Sequence, residues 1–220
     1  RGMGSWGQAL GIMGLMTASK LLDSRRPRDA ALLAGEYMLS LQVDKPSDPA
    51  RHGVFREHTP VTDWCFPRDA ATAGMGLCAL YRETGEQRYL DRAADFCEWY
   101  QHHGSDSDGW PWNFFSIETG RGAMTQEGAH VAGEETDTGK ERVRGDWQAG
   151  GGLAYYQLFK LTGDRKWWGY FERLIGPLVE LYERNADKPI DLGGFHGDSE
   201  ITYGNDDFAI IALVAAYRQT

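Results

Sequence analysis

Tyr81-Arg82-Glu83-Thr84-Gly85 returns as Phe159-Lys160-Leu161-Thr162-Gly163, and each copy is followed by an acidic residue and then an aromatic-rich amphipathic segment. A glycine closing a helical stretch supplies the left-handed residue that ends a helix, so each pentad reads as the turn of a helical hairpin. Working outward, Met13-Gly14-Leu15 falls on Met75-Gly76-Leu77. The same frame places Asp29 on Asp91, Ala31 on Ala93, Glu36 on Glu98 and Tyr37 on Trp99. A further copy, Leu213-Val214-Ala215-Ala216-Tyr217-Arg218-Gln219-Thr220, repeats Leu77-Cys78-Ala79-Leu80-Tyr81-Arg82-Glu83-Thr84 and stops where the next glycine would stand. Such self-similarity marks a helical repeat, and the chain reads as an excerpt of a longer one.

Each copy holds two helices of different character. The first members, about 7–22, 69–83, 147–161 and 206–219, are rich in Gly and Ala with few charges, as buried inner helices should be. The second members, about 27–42, 87–102 and 165–184, carry apolar stripes such as Tyr89, Ala93, Phe96, Cys97 and Tyr100, interleaved with charges, as outer helices should. Pro177 removes a backbone donor and is expected to kink or divide the third outer helix. No comparable strand pattern is present. The expected fold is all-α, an (α/α) hairpin toroid or incomplete barrel. It forms one segment over 1–220, with hairpins at about 7–42, 69–102 and 147–184 and the first helix of a fourth at 206–219.

A chain of 220 residues with 41% hydrophobic and 25% charged content can bury a core. No run approaches the roughly eighteen apolar residues of a membrane span, and Arg1-Gly2-Met3-Gly4 lacks the regions of a signal peptide. The compartment and the oligomeric state stay open. A net charge of −9 disfavours a nucleic-acid surface, yet a few arginines in a cleft can still bind a carboxylate. Cys65, Cys78 and Cys97 are odd in number and lack CxxC spacing, which points to packing roles. No cofactor or metal motif stands out: His196, Asp198 and Glu200 alternate on a Gly-rich stretch, a nonspecific pattern.

The connections are unequal. Inner-to-outer turns are short, around Ser24, Thr84-Gly85 and Thr162-Gly163, whereas outer-to-inner connections run about 44–68, 103–146 and 185–205. Antiparallel helices return the chain to one end, so the long connections should share a face, and long connections in a compact domain are usually functional. The repeated Gly-Leu and Tyr-Arg-x-Thr-Gly-Asp/Glu-x-x-Tyr/Trp pattern resembles the six-hairpin glycosidase-like superfamily of (α/α) toroids. That group includes unsaturated uronyl hydrolases, sugar 2-epimerases and toroid polysaccharide lyases. The resemblance implies an active site where the inner helices begin.

Acidic residues recur at that end. Asp69, Asp146 and the pair Asp206-Asp207 stand at the starts of three inner helices. They can serve as helix caps or as the paired acid and base of glycosidic cleavage. Trp110-Pro111-Trp112-Asn113-Phe114-Phe115 offers flat apolar faces and an amide for a pyranose, with Trp112 the best single subsite residue. Trp64 and Trp147, each following an aspartate, have the same dual reading, as does Trp6. The first long connection holds Arg51, His52, Arg56 and His58, which would favour an acidic sugar if they line the cleft. His102 and His103, ending an outer helix, suit its dipole. The expected function is hydrolysis of an acidic oligo- or polysaccharide by carboxylates. The alternative is a lyase in which Tyr203 or His196 removes a proton while Asn113, Asn205 or Arg56 neutralises the uronate. A non-catalytic helical-repeat binding scaffold is a third reading.

Overall fold

The computed structural model describes residues 4–106, 111–123, 146–185 and 207–219, with the backbone alone at 146–150, 177–178, 181–185 and 207–209. Its helices are α1 (Ser5–Leu21), α2 (Arg25–Leu41), α3 (Pro67–Thr84), α4 (Gln87–His102), α5 (Asp146–Thr162), α6 (Arg165–Asn185) and α7 (Asp207–Tyr217). Helix α1 packs on α2 and α3, α3 on α4 and α5, and α5 on α6 and α7. An inner row α1, α3, α5, α7 therefore carries an outer layer α2, α4, α6, the all-α hairpin arrangement of a toroid segment.

The Gly and Ala content of the inner row has a direct packing consequence. Every residue of α3 from Ala70 to Leu80 is buried, because α1, α4 and α5 cover it on three sides. A Cβ on Gly76 would stand 3.2 Å from the Cα of Ala9, and one on Gly74 would stand 2.9 Å from the ring of Phe96 and 3.3 Å from the Cβ of Ala154. Outer helix α4 buries Tyr89, Ala93, Phe96, Cys97, Trp99 and Tyr100. Helix α6 buries Trp167, Trp168, Phe171, Leu174 and Ile175 and runs through Pro177 without division. Burial of that aromatic stripe on α5 outweighs the local penalty of about 3 kcal/mol for an internal proline. Helix α7 leaves Ile210, Ile211, Val214 and Tyr217 exposed.

The short turns repeat at the level of single hydrogen bonds. Thr84 Oγ1 donates to the carbonyl of Leu80 at 2.8 Å and accepts from Glu86 N at 3.1 Å. Thr162 does the same with Leu158 and Asp164 at the same distances. Gly85 and Gly163 follow with φ of 71° and 72°. The first turn has no glycine, and Asp23 takes the left-handed place there with φ of 45°.

Among the described residues, three short strands lie in the long connections, beside the all-α hairpin frame. β1 (Trp64–Cys65), β2 (Phe114–Ser116) and β3 (Arg121–Ala123) form an antiparallel sheet in that order, pairing Trp64 with Ser116 and Phe114 with Ala123. Two or three residues are too few to show a strand period. Arg51 reinforces the join by donating to the carbonyls of Ile117 and Glu118 at 2.6 Å each and to Asp48 at 2.7 Å. The first connection is also bolted to α4: Trp99 Nε1 donates to the Ala50 carbonyl at 3.1 Å, and His52 lies 3.5 Å from Asp95. Arg51 and His52 are thus committed to holding loops together.

The turn geometry makes two predictions for urea unfolding. Nothing lies within 4 Å of a Cβ added at Gly85, so Gly85→Ala should cost only the conformational penalty of about 1 kcal/mol. Asp23→Gly should raise stability by up to about 1 kcal/mol, and an unchanged midpoint in both variants would refute the account of the turns.

Candidate functional site

The starts of α1 and α3 meet at Glu57. Its carbonyl accepts from Ser5 N at 2.9 Å, closing the first turn of α1 onto the long connection, and its own amide donates to the Trp64 carbonyl at 3.1 Å. Glu57 Oε2 accepts from the amide of Phe66, the N-cap of α3, at 3.4 Å. The side chain is 3% exposed. Oε1 faces the start of α1, where a Cβ on Gly4 would come within 2.6 Å of it. The hydroxyl of Ser5 is buried without a partner among the described residues.

Burial pushes the Glu57 carboxyl up to about 7, and the negative charge of Asp69 adds to the effect against the opposing pull of the Phe66 amide and Arg68. Asp69 lies in the first turn of α3, behind Pro67, and accepts from Arg68 Nε at 2.7 Å. It is therefore not an N-cap. The same field is felt at Cys65, whose thiol is raised first by burial and then by Glu57 and Asp69.

Aromatic rings stand beside these carboxyls. Trp64 stacks on Phe114 with centroids 5.5 Å apart and 22° between planes, and it meets Phe66 and His58 edge-on at 5.1 and 5.4 Å. Tyr37 on α2 donates to the His58 carbonyl at 2.7 Å. Trp64 is half-buried and His58 exposed, so this wall is accessible from the loop end. Arg56 closes its own loop by donating to the Thr62 carbonyl at 2.5 Å.

The structure thus brings Asp69, Trp64, Arg56 and His58 together around a residue that the sequence reading did not single out. Trp112 and Asn113, both half-buried, lead into β2, whose Phe114 stacks on Trp64. Trp112 lies across the backbone of Gly122, where a Cβ would run into its ring. Asp146 and Asp207 begin α5 and α7, with Trp147 next in α5, and the structure describes their backbone. Trp110, His196, Tyr203, Asn205 and Asp206, with Asp198 and Glu200, lie outside the described residues. His102 sits 3.5 Å from Glu98 at the end of α4, but His103 is pushed down by burial and by His102, against a role as a dipole-pairing cation.

Among the described residues no group of three or more His, Cys, Asp or Glu could hold a metal ion, and no helix is long and apolar enough to cross a membrane. All three cysteines are free and buried. A groove of about 480 Å³ between α3, α5 and α7, lined by Arg82, Tyr156, Gln157, Lys160, Ile211 and Arg218 among others, lies toward the opposite end. None of the candidate catalytic or substrate-binding residues lines it. Its cations stand at the ends of inner helices, where they complement the helix dipoles.

Glu57 gives the fold a pH dependence of definite sign. An acid raised from 4.5 to about 7 on folding is held protonated by the native state. The unfolded chain therefore releases its proton first as pH rises, and stability falls between about pH 4.5 and 7, by about 3 kcal/mol for this group. Glu57→Gln should lack this loss. Denaturant unfolding of both proteins at pH 5 and pH 8 checks it, and a stability difference that does not change with pH would contradict the burial argument.

No protein-family model and no curated protein matches the chain, but solved structures do. Cellobiose 2-epimerase from Spirochaeta thermophila DSM 6192 superposes with a TM-score of 0.73 at 17% identity, over 98% of this chain and 53% of that one. Cellobiose 2-epimerase from Bacillus thermoamylovorans B4167 does so at 0.72 and 16%, over 99% and 56%. A family 76 glycoside hydrolase from a bovine Bacteroides thetaiotaomicron strain gives 0.61 and 16%, over 81% and 35%. The chain spans about half the length of the epimerases it matches. Over that span it shares the (α/α) hairpin toroid fold of these structures.

Proposed function

We propose that this chain carries part of the active-site end of a carbohydrate-active enzyme that hydrolyses glycosidic bonds in an acidic oligo- or polysaccharide, with carboxyl groups as acid and base. The observation that carries the reading is the buried Glu57 carboxyl, held at the starts of two inner helices beside the Trp64 wall and raised by burial and by the charge of Asp69 in the first turn of α3. Cleavage of a glycosidic bond needs one carboxyl group that holds its proton near neutral pH and another that does not. Flat aromatic faces suit the apolar face of a pyranose. Asp146 and Asp207 begin the next two inner helices, so a ring of carboxylates around the same end is consistent with the helix order. Arg56 and His58 on the adjoining loop favour an acidic substrate.

Epimerisation is the second reading, favoured by superposition of nearly the whole chain on two proteins described as cellobiose 2-epimerases. There a proton leaves a sugar carbon and returns, and no glycosidic bond breaks.

One set of incubations in deuterated water, with uronate-containing oligosaccharides and a neutral disaccharide, separates the chemistries. New reducing ends without ultraviolet absorbance mean hydrolysis, and this is the expected result. Unsaturated products mean the β-elimination in which Tyr203 or His196 would be the base. Deuterium at carbon 2 without new ends means epimerisation. In the hydrolytic case, Asp69→Asn and Asp207→Asn should each lower turnover about 100-fold or more, with unchanged helical circular dichroism. Wild-type turnover in both would return these aspartates to helix-terminal roles.

A further inference from the structure

The repeat fixes a charge as well as a turn. Arg82, Lys160 and Arg218 occupy one repeat position, directly after Tyr81, Phe159 and Tyr217, in the last turns of α3 and α5 and just beyond α7. The same frame puts Lys20 of α1 at that position, and there Glu83 neutralises it at 2.8 Å. The side chains of the other three form no ion pair among the described residues, although the chain carries a net charge of −9. All three line the groove between α3, α5 and α7, and no carboxylate lines it with them. A cation at a helix C-terminus complements that helix's dipole, which accounts for one charge per helix. It does not account for three around one hollow without a counter-charge, an arrangement that concentrates positive potential where an anion can enter.

The remaining lining suits the body of such an anion. A volume of about 480 Å³ falls in the range of small-molecule pockets. Leu153 and Val214 give apolar surface and Tyr156 a ring. Gln157 adds an amide whose carbonyl oxygen is buried without a hydrogen-bond partner among the described residues. An acceptor left unmade is costly, and a ligand hydroxyl is a donor that would satisfy it.

We infer that this groove is a second binding site, for a small phosphate monoester with a hydroxylated body, such as a sugar phosphate. Arg82, Lys160 and Arg218 hold the phosphate, Tyr156 supports the body and Gln157 accepts from a hydroxyl. A phosphate dianion answers three cations better than one carboxylate does, and a guanidinium fork engages its oxygens two at a time. The site lies toward the end of the inner helices opposite Glu57 and Trp64, and it does not depend on the cleavage chemistry proposed there.

Isothermal titration calorimetry of the full chain at low ionic strength, where exposed cations are least screened, tests the site with glucose 6-phosphate, inorganic phosphate, glucuronate and glucose. Glucose 6-phosphate should bind with a Kd below about 1 mM, inorganic phosphate and glucuronate more weakly, and glucose not measurably. Lys160→Gln and Arg218→Gln should each weaken glucose 6-phosphate about 10-fold, and Trp64→Ala should leave its affinity unchanged, with helical circular dichroism retained in all three variants. Lys160 and Arg218 are exposed, so their replacement spares the core. No binding, wild-type affinity in both cation variants, or loss of binding in Trp64→Ala would overturn the site. Glucuronate binding as tightly as glucose 6-phosphate would overturn the choice of phosphate, and inorganic phosphate doing so would overturn the roles of Tyr156 and Gln157.

Discussion

Backbone-to-backbone approach in the inner row is the constraint on which the structure depends. Helices α1, α3 and α5 lie so close that the contacts of Gly76 with Ala9 and of Gly74 with Phe96 and Ala154 leave no room for a larger side chain. Only a run of small residues permits α3 to be covered on three sides. The bulky groups are displaced to the outer helices, where Tyr89, Phe96, Trp99 and Phe171 fill the space behind the row. Protein interiors close-pack to the density of organic crystals, so this division of small inside and large outside is a matching of volumes. It also lets α1 and α3 lie close enough for their first turns to meet at Glu57.

The fold was legible because its decisive features are local. A threonine and a glycine three and four residues beyond a fixed aromatic position make the same two hydrogen bonds wherever they occur, as Thr84 and Thr162 show. Asp23 hid the first turn from that signature while adopting its left-handed backbone. Of the two outcomes expected at Pro177, division of the helix does not occur, because burial of the stripe on α6 is a tertiary effect that a local rule does not weigh. The strands escaped notice for the reason that two or three residues carry no period.

The site was legible only in part. Asp69 and Trp64 could be picked out by residue type and by their place at or just before a helix start, and the structure sets both near the buried Glu57. Glu57 could not. Its burial comes from contact with the start of α1, more than fifty residues earlier in the chain, and a glutamate in a loop rich in charge looks solvated. The converse holds for Arg51 and His52. They looked like free cations beside a cleft, but the carbonyls of Ile117 and Glu118 and the carboxylate of Asp95 occupy them.

The small sheet has a bearing on binding thermodynamics. It splices loops from two different hairpins, and Arg51 fastens the splice on its other side, so Trp64 and Phe114 form one plate and not two independent flaps. Long loops that close around a ligand ordinarily lose conformational entropy at the moment of association. In the described part of these loops that ordering is completed during folding, and a saccharide bound against Trp64 as proposed would meet a surface already preorganised.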